Sequence, residues 1–283
     1  MIKNYFLTTL RNLGRNKVYS LINLSGLSVG IACCLLIFLY AKDELSFDKF
    51  HRNAGNIYRI VSVQRTPDGS ETKMGVVGMM PGPAFHDEIP EIKTFVRLQG
   101  DGFAVRRGHE VFQQEAHSVD SNFFSVFSFP LVYGSPATVL SDPYSVVLSE
   151  ETARKFFGRT DVIGETLELK LDTVFSVFKV TGVAKNPPQN SSIKFQMLVP
   201  ISLKRSQGGQ DSWLNFYLNT FVVMPPGADV GAVEKKMAAS YERNAASQIK
   251  EMREVYNARE TYKFLLQPFL HIHLSEDFKA QNG

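Results

Sequence analysis

The sequence predicts an α+β protein: one N-terminal transmembrane helix followed by a mixed α+β body. Three observations carry that expectation. No charged residue occurs from Val18 to Ala41. Beyond residue 43, strand-like and helix-like patterns are mixed without regular βαβ alternation, which favours α+β over a doubly wound sheet. The chain's 283 residues are 44% hydrophobic and 21% charged, an ordinary globular balance that excludes disordered or low-complexity architectures for most of it.

The charge-free run of residues 18–41 would span about 36 Å as a helix, enough to cross a hydrocarbon core of ~30 Å with some tilt. Ile31 to Leu39 is continuously apolar, and Gly26 and Gly30 form a small-xxx-small pair suited to close helix approach. A cleaved signal peptide would have a shorter apolar core and a small-residue cleavage site. Here the run ends in Tyr40-Ala41-Lys42-Asp43-Glu44, so a retained anchor is expected. Residues 1–42 contain Lys3, Arg11, Arg15, Lys17 and Lys42 and no acid, while 43–283 hold 26 basic and 28 acidic residues. The positive-inside rule then places residues 1–17 in the cytoplasm and 43–283 outside. Within residues 1–17, Ile2, Phe6, Leu10 and Leu13 recur at helical spacing and predict an amphipathic segment on the inner membrane face. The sequence pI of 8.7 is thus a property of the N-terminus. The near-neutral body argues against a nucleic-acid partner. Cys33 and Cys34 are the two cysteines, so neither a disulfide framework nor a multi-thiolate zinc site is expected.

Along the body, Tyr58–Gln64 reads as a strand and Pro67-Asp68-Gly69 as a turn. Pro83–Ile89 reads as a short helix stopped by Pro90, and Thr94–Leu98 as a strand. Phe103–Arg107 and Glu110–Gln113 flank Gly108 as a hairpin. The chain changes character near residue 117. Ser121–Phe127 predicts a capped, aromatic-rich helical turn. Tyr144–Leu148 is a strand leading into a helix capped by Ser149, with Glu150 and Glu151 in its first turn and Gly158 as its stop. Thr166–Leu171 alternates as a half-buried strand; Phe175–Val183 and Lys194–Pro200 follow as strands. Gln207-Gly208-Gly209-Gln210 reads as a flexible loop. Leu218–Met224 is a strand and Pro225-Pro226-Gly227 a turn. Asp229 caps a long helix to about Tyr256, with Val230, Val233, Met237, Tyr241, Ile249 and Met252 as its apolar face. Tyr262–Leu266 and Phe269–Leu274 close the chain with β-rich sequence.

No catalytic constellation emerges. There is no phosphate-binding G-x-x-x-x-G-K-[ST], no G-x-G-x-x-G after a strand, no G-x-S-x-G and no H-E-x-x-H. Ser135, in Tyr-Gly-Ser-Pro, suits a loop better than a nucleophile elbow. His271 and His273 would share one strand face and could ligate a metal, but no third ligand is evident, so a solvated strand face is the better reading. Glu150-Glu151 serve the helix dipole, Arg106-Arg107 a hairpin edge, and Phe123, Phe124, Phe127 and Phe129 the core. No catalytic, cofactor-binding or metal residue is therefore assigned, no cofactor is expected, and the body reads as a binding or force-transmitting module.

Specific stretches go further. Asp43-Glu44-Leu45-Ser46-Phe47-Asp48-Lys49-Phe50-His51 is followed by Ile57-Tyr58-Arg59, then by Val119-Asp120-Ser121-Asn122-Phe123-Phe124 and Phe127-Ser128-Phe129-Pro130-Leu131. Ser145 to Glu151 leads to Lys155-Phe156-Phe157-Gly158, Ile163-Gly164, Val180-Thr181-Gly182-Val183 and Asn190-Ser191-Ser192. In this order the set resembles the MacB/FtsX-type ABC transporter permeases, in the long form common in Bacteroidetes, over nearly the whole chain. The resemblance implies a bacterial inner-membrane permease with a periplasmic domain. Residues 45–116 and 205–275 would form its porter-like part and residues 117–204 an inserted subdomain. It implies mechanotransmission: a separate ABC ATPase subunit moves the membrane helices, which relay motion to the periplasmic body. A second permease half or a homodimer partner, and a periplasmic adaptor, are the further partners implied. Family members continue into at least three more membrane helices. The resemblance therefore implies the N-terminal portion of a longer permease or a truncated subunit. Asp43–Phe50 would be the junction between helix and body. The alternative is a single-pass anchored module whose exported body senses a ligand.

Overall fold

The computed structural model describes residues 15–171, 173–205, 212–275 and 277–278, together with residues 4, 5 and 11. The amphipathic segment expected at 1–17 and the loop expected at 207–210 lie largely or wholly outside the described residues. The chain divides into two compact units, residues 1–47 and 48–283.

The first unit contains helix α1 (Lys17–Glu44), with no buried residue along its 28 positions. Among the described residues it is the one helix long and apolar enough to cross a membrane. Apolar side chains exposed on every face fit lipid, not water, as their surroundings.

The second unit is a mixed α+β body built on a sheet of eleven strands among the described residues. Its elements are β1 (Ile57–Arg65), β2 (Glu71–Met74), α2 (Pro81–Glu88), β3 (Thr94–Arg107), β4 (Glu110–Val119), α3 (Phe123–Val126) and β5 (Leu131–Tyr133). There follow β6 (Ser145–Ser149), α4 (Glu150–Phe157), β7 (Thr166–Leu171), β8 (Val174–Ala184), β9 (Met197–Pro200) and α5 (Ser202–Arg205). The last are β10 (Asn219–Val223), α6 (Val230–Asn244), α7 (Ala246–Tyr256) and β11 (Thr261–Pro268). The main path runs β11-β1-β10-β3-β4-β9-β6-β8-β5, with β2 on β1 and β7 bridging β3 and β8. Pairing is mostly antiparallel; β4–β9 and β6–β8 are parallel.

Local chemistry explains several ends. The Ser149 hydroxyl accepts from the Thr152 N–H at 3.1 Å, and Gly158 closes α4 in the left-handed region at φ 71°. The Asp229 carboxylate accepts from the Ala232 N–H at 3.1 Å at the start of α6. Arg107 and Glu110 pair across the expected Gly108 turn.

Other expectations are corrected. The long helix to Tyr256 is two helices, broken at Ala245, whose ψ of −2° leaves the helical value while its side chain is fully buried. Phe269–Leu274 is not a strand. Pro268 has no N–H to continue the ladder with Tyr58, and Phe269–His271 forms a 3₁₀ turn. Thr94–Leu98 and Phe103–Arg107 are one strand, because Gln99-Gly100-Asp101-Gly102 stays paired to β4 despite its turn-like composition. Lys194–Gln196 precede β9 instead of belonging to it. The helical turn at α3 starts from Asn122, whose side chain donates instead to Thr94 Oγ1 and the Phe95 carbonyl, both at 2.9 Å.

Three buried clusters fill the body. One gathers Ile60, Phe85, Trp213, Met237 and Phe264 beneath α2 and α6. A second gathers Val105, Val146, Phe156, Leu169 and Phe178 around α4 and β6–β8. The third lies on strands of both groups and is aromatic: Phe123, Phe127, Phe129, Phe195, Phe221 and Phe269. Phe123 stacks on Phe129 with an interplanar angle of 2°. The four phenylalanines read from sequence as core are thus core.

Candidate functional site

The segment directly after α1 is where sequence position and unusual chemistry meet. Asp48 has a positive φ of 59°, a conformation Asp tolerates better than most residues because its short side chain can bond locally. Its side chain is buried. The Asp48 N–H donates to the Asn190 carbonyl at 2.9 Å, and Oδ1 accepts from the Ser192 N–H at 2.8 Å. Burial raises the Asp48 pKa; the Ser192 donors and the His273 charge oppose it.

His51, three residues on, is also buried. Its Nδ1 accepts from the Ser128 N–H at 2.9 Å, which leaves the proton of the neutral ring on Nε2, where no partner among the described residues reaches it. The ring is enclosed by Phe50, Phe127, Phe129 and Phe269, with centroids 4.0 to 5.4 Å away. Burial lowers its pKa to about 4, so the ring is neutral at physiological pH. Arg52 adds a backbone bond to Ser128 Oγ at 3.0 Å. Within five residues the chain is thus held by backbone and side-chain bonds to two distant loops, 127–129 and 190–192. Sequence reading placed the junction at Asp43–Phe50; it missed His51 as a buried anchor. The signal available was the apolar Phe50 beside it and the aromatic run at 123–129.

The histidine pair does not form a ligand set. His271 is in the 3₁₀ turn and His273 in the turn beyond it, so the strand-face spacing is absent. Among the described residues no group of three or more His, Cys, Asp or Glu side chains is placed to hold a metal. Glu150 and Glu151 lie in the first turn of α4. Arg106 pairs with Glu168 and lies over Phe175, and Arg107 lies over Phe157. Ser135 sits in a turn, its carbonyl accepting from Thr138 and Val139.

Two buried arginines complete the polar interior. Arg97 makes a bidentate pair with Asp120, Nη2 to Oδ1 at 2.7 Å and Nε to Oδ2 at 3.0 Å. The Arg97 N–H also reaches Oδ2 at 2.7 Å. Arg59 instead meets neutral amides: Nε and Nη2 reach Gln267 Oε1 at 3.1 and 2.7 Å, and Nη1 reaches Asn219 Oδ1 at 3.3 Å. Burial lowers the Arg59 pKa to about 10, so it stays charged at neutral pH.

With this geometry in hand, similar proteins are informative. The family described as MacB-like periplasmic core domain matches residues 20–240. A solved domain assigned to a permease protein from Porphyromonas gingivalis is 22% identical, with a TM-score of 0.65 over 77% of this chain and 91% of that one. The extracellular domain of the noncanonic ABC-type transporter YknZ from Gram-positive bacteria is 17% identical, with a TM-score of 0.50 over 74% and 100%. The periplasmic region of MacB from Actinobacillus actinomycetemcomitans is 14% identical, with a TM-score of 0.47 over 76% and 90%. The first two share the body's fold. No curated protein matches the chain.

Proposed function

The chain belongs to the MacB-like periplasmic core domain family, a component of ABC transporter permeases, and we propose from that premise that it relays motion. In this reading a separate ABC ATPase drives α1, and the body, on the periplasmic side of a bacterial inner membrane, moves with it. Residues 1–17 would lie in the cytoplasm and 43–283 outside, as the flanking charges favour. A second permease half or a homodimer partner, and a periplasmic adaptor, would complete the system.

The observation that carries this reading is the seat of residues 48–52. A relay needs a stiff connection between the driven element and its load. Asp48, four residues past the end of α1, already bonds to Asn190 and Ser192, and His51 and Arg52 bond to Ser128. Such a seat fixes the first residues of the body to its own loops, as a relay would require of its load.

The division into a porter-like part (45–116 and 205–275) and an insert (117–204) belongs to the same proposal. The first buried cluster supports it, since it draws all but Ile201 from the porter-like ranges. The second draws mainly on the insert, with the β3–β4 hairpin packed against it.

The experiment is a short Gly/Ser linker inserted after Lys42 in the permease assembled with its ATPase. Flexible chain of that composition transmits no orientation. Export should collapse while ATP hydrolysis persists. Unchanged export would overturn the relay reading.

A further inference from the structure

A cavity of about 340 Å³ opens beside Arg59. It is at the small end of ligand pockets, about 300–1,000 Å³. Its floor is one face of the sheet. Arg59 pairs across strands with Gln267 on β11 and Phe221 on β10, and Asn219 pairs with Leu98 on β3. Directly opposed residues share a face, so these side chains project together. The roof is the segment 186–196 between β8 and β9, with Ile193 and Phe195 facing the cavity.

The position of the guanidinium is unusual in two ways. A guanidinium has five N–H donors. Three are engaged, by one Gln267 oxygen and one Asn219 oxygen, and no carboxylate pairs with Arg59 among the described residues. A buried charge without a counter-charge is costly, and breaking a buried pair costs several kcal/mol for that reason. Arg59 also has a cradle made for it. A Cβ on Gly75 would lie 2.8 Å from Cζ and Nη1 and 2.9 Å from Nη2, so only glycine lets the planar group lie flat there. The charge is held, not accidental.

Four charged residues line the cavity. Arg59 is buried at its floor, whereas Lys194, Glu115 and Glu151 are exposed. Leu98, Phe221, Phe269 and Ile272 give the cavity an apolar wall, and His117, Ser149, Asn186, Ser192 and Gln196 add polar groups to its lining.

We propose that this cavity binds a small organic anion, its carboxylate or phosphate group on the two free Arg59 donors and a short apolar tail along the phenylalanine wall. The planar fork of arginine matches such oxyanions in a bidentate manner. The anion supplies the counter-charge that the fold omits. The site stands independently of the force-relay reading. Its occupant would nevertheless touch Ser192, the residue whose N–H holds Asp48.

The test uses the full chain in non-ionic detergent, with thermal unfolding followed by fluorescence of the single tryptophan, buried Trp213. Ligands that bind only the folded state raise the midpoint with concentration. The probes are hexanoate, hexyl phosphate, inorganic phosphate and hexanol. Hexanoate or hexyl phosphate should stabilise saturably, and hexanol should not. Inorganic phosphate acting as strongly as hexyl phosphate would assign the site to free phosphate and overturn the tail. Arg59→Met should weaken hexanoate by about tenfold or more, the loss expected for a hydrogen-bonded charge. A second variant, Glu115→Gln with Glu151→Gln, changes only exposed side chains and should tighten anion binding. If Arg59→Met does not fold, the double variant decides: unchanged affinity overturns the proposal. Equal stabilisation by hexanol, or none by any probe, overturns it as well.

Discussion

Arg97 and Arg59 lie on strands of one sheet, both buried, yet their surroundings differ. Around Arg97, a carboxylate from the start of the 117–204 region accepts twice from the guanidinium and a third time from the Arg97 backbone N–H. Around Arg59, two amides supply oxygens but no charge, a glycine supplies space, and a cavity adjoins. The difference teaches where the molecule is finished and where it is open. A completed ion pair is a structural rivet. A charge held without a partner, next to space, is a site.

The largest expected effect tests the rivet. Asp120→Ala leaves Arg97 buried and unpaired and should cost about 3–5 kcal/mol of stability, read by urea unfolding. Arg59→Met should cost far less, because it removes a buried charge and keeps the length of the side chain. Equal losses would erase the contrast.

Acid probes the open side. His51 packs on Phe269, which lines the Arg59 cavity. Its folded pKa of about 4 lies below the unfolded value of 6.5. The unfolded state therefore binds the extra proton between those values. The stability contributed is full above pH 6.5 and lost as pH falls towards 4, by about 3 kcal/mol in total. His51→Phe should flatten that part of the pH–stability curve; an unchanged slope would mean another group is responsible.

Gly75→Ala comes next. The added methyl collides with the guanidinium and should cost about 1–3 kcal/mol. The same change in an Arg59→Met background should cost less, since the flexible thioether can move aside. Additive losses would show that the cradle is not specific to arginine. Smallest is Asp229→Ala, which removes the cap of α6, outside the lining of the Arg59 cavity. It should cost about 1 kcal/mol and leave anion affinity unchanged.

Sequence legibility followed the same division. Elements set by local rules were readable: α1 by its charge-free length, α4 by Ser149 and Gly158, β7 by strict alternation. Elements set by distant partners were not. Gln99–Gly102 looks like a turn and is held extended by four of the ten consecutive pairs that join β3 to β4. Phe269–Leu274 looks like a strand and finds no edge to join after Pro268. The stretch Asp43–Phe50 stood out through family resemblance. The Arg59 cavity did not, because Gln267, Asn219 and Gly75 are ordinary residues until the sheet brings them together. An uncompensated charge is a property of a neighbourhood, and no window of sequence contains that neighbourhood.

The pairing of β1 has a consequence for synthesis. It lies between β10, at residues 219–223, and β11, at 261–268. Its nearer partner in sequence is the four-residue β2. A ribosome makes β1 early and its flanking strands last, at about 5–20 residues per second. For roughly ten seconds or more at that pace, an apolar strand waits with its main partners not yet made. The nascent body is therefore most exposed to aggregation and proteolysis over that interval, and a chaperone that shields one extended apolar strand would protect most of the fold.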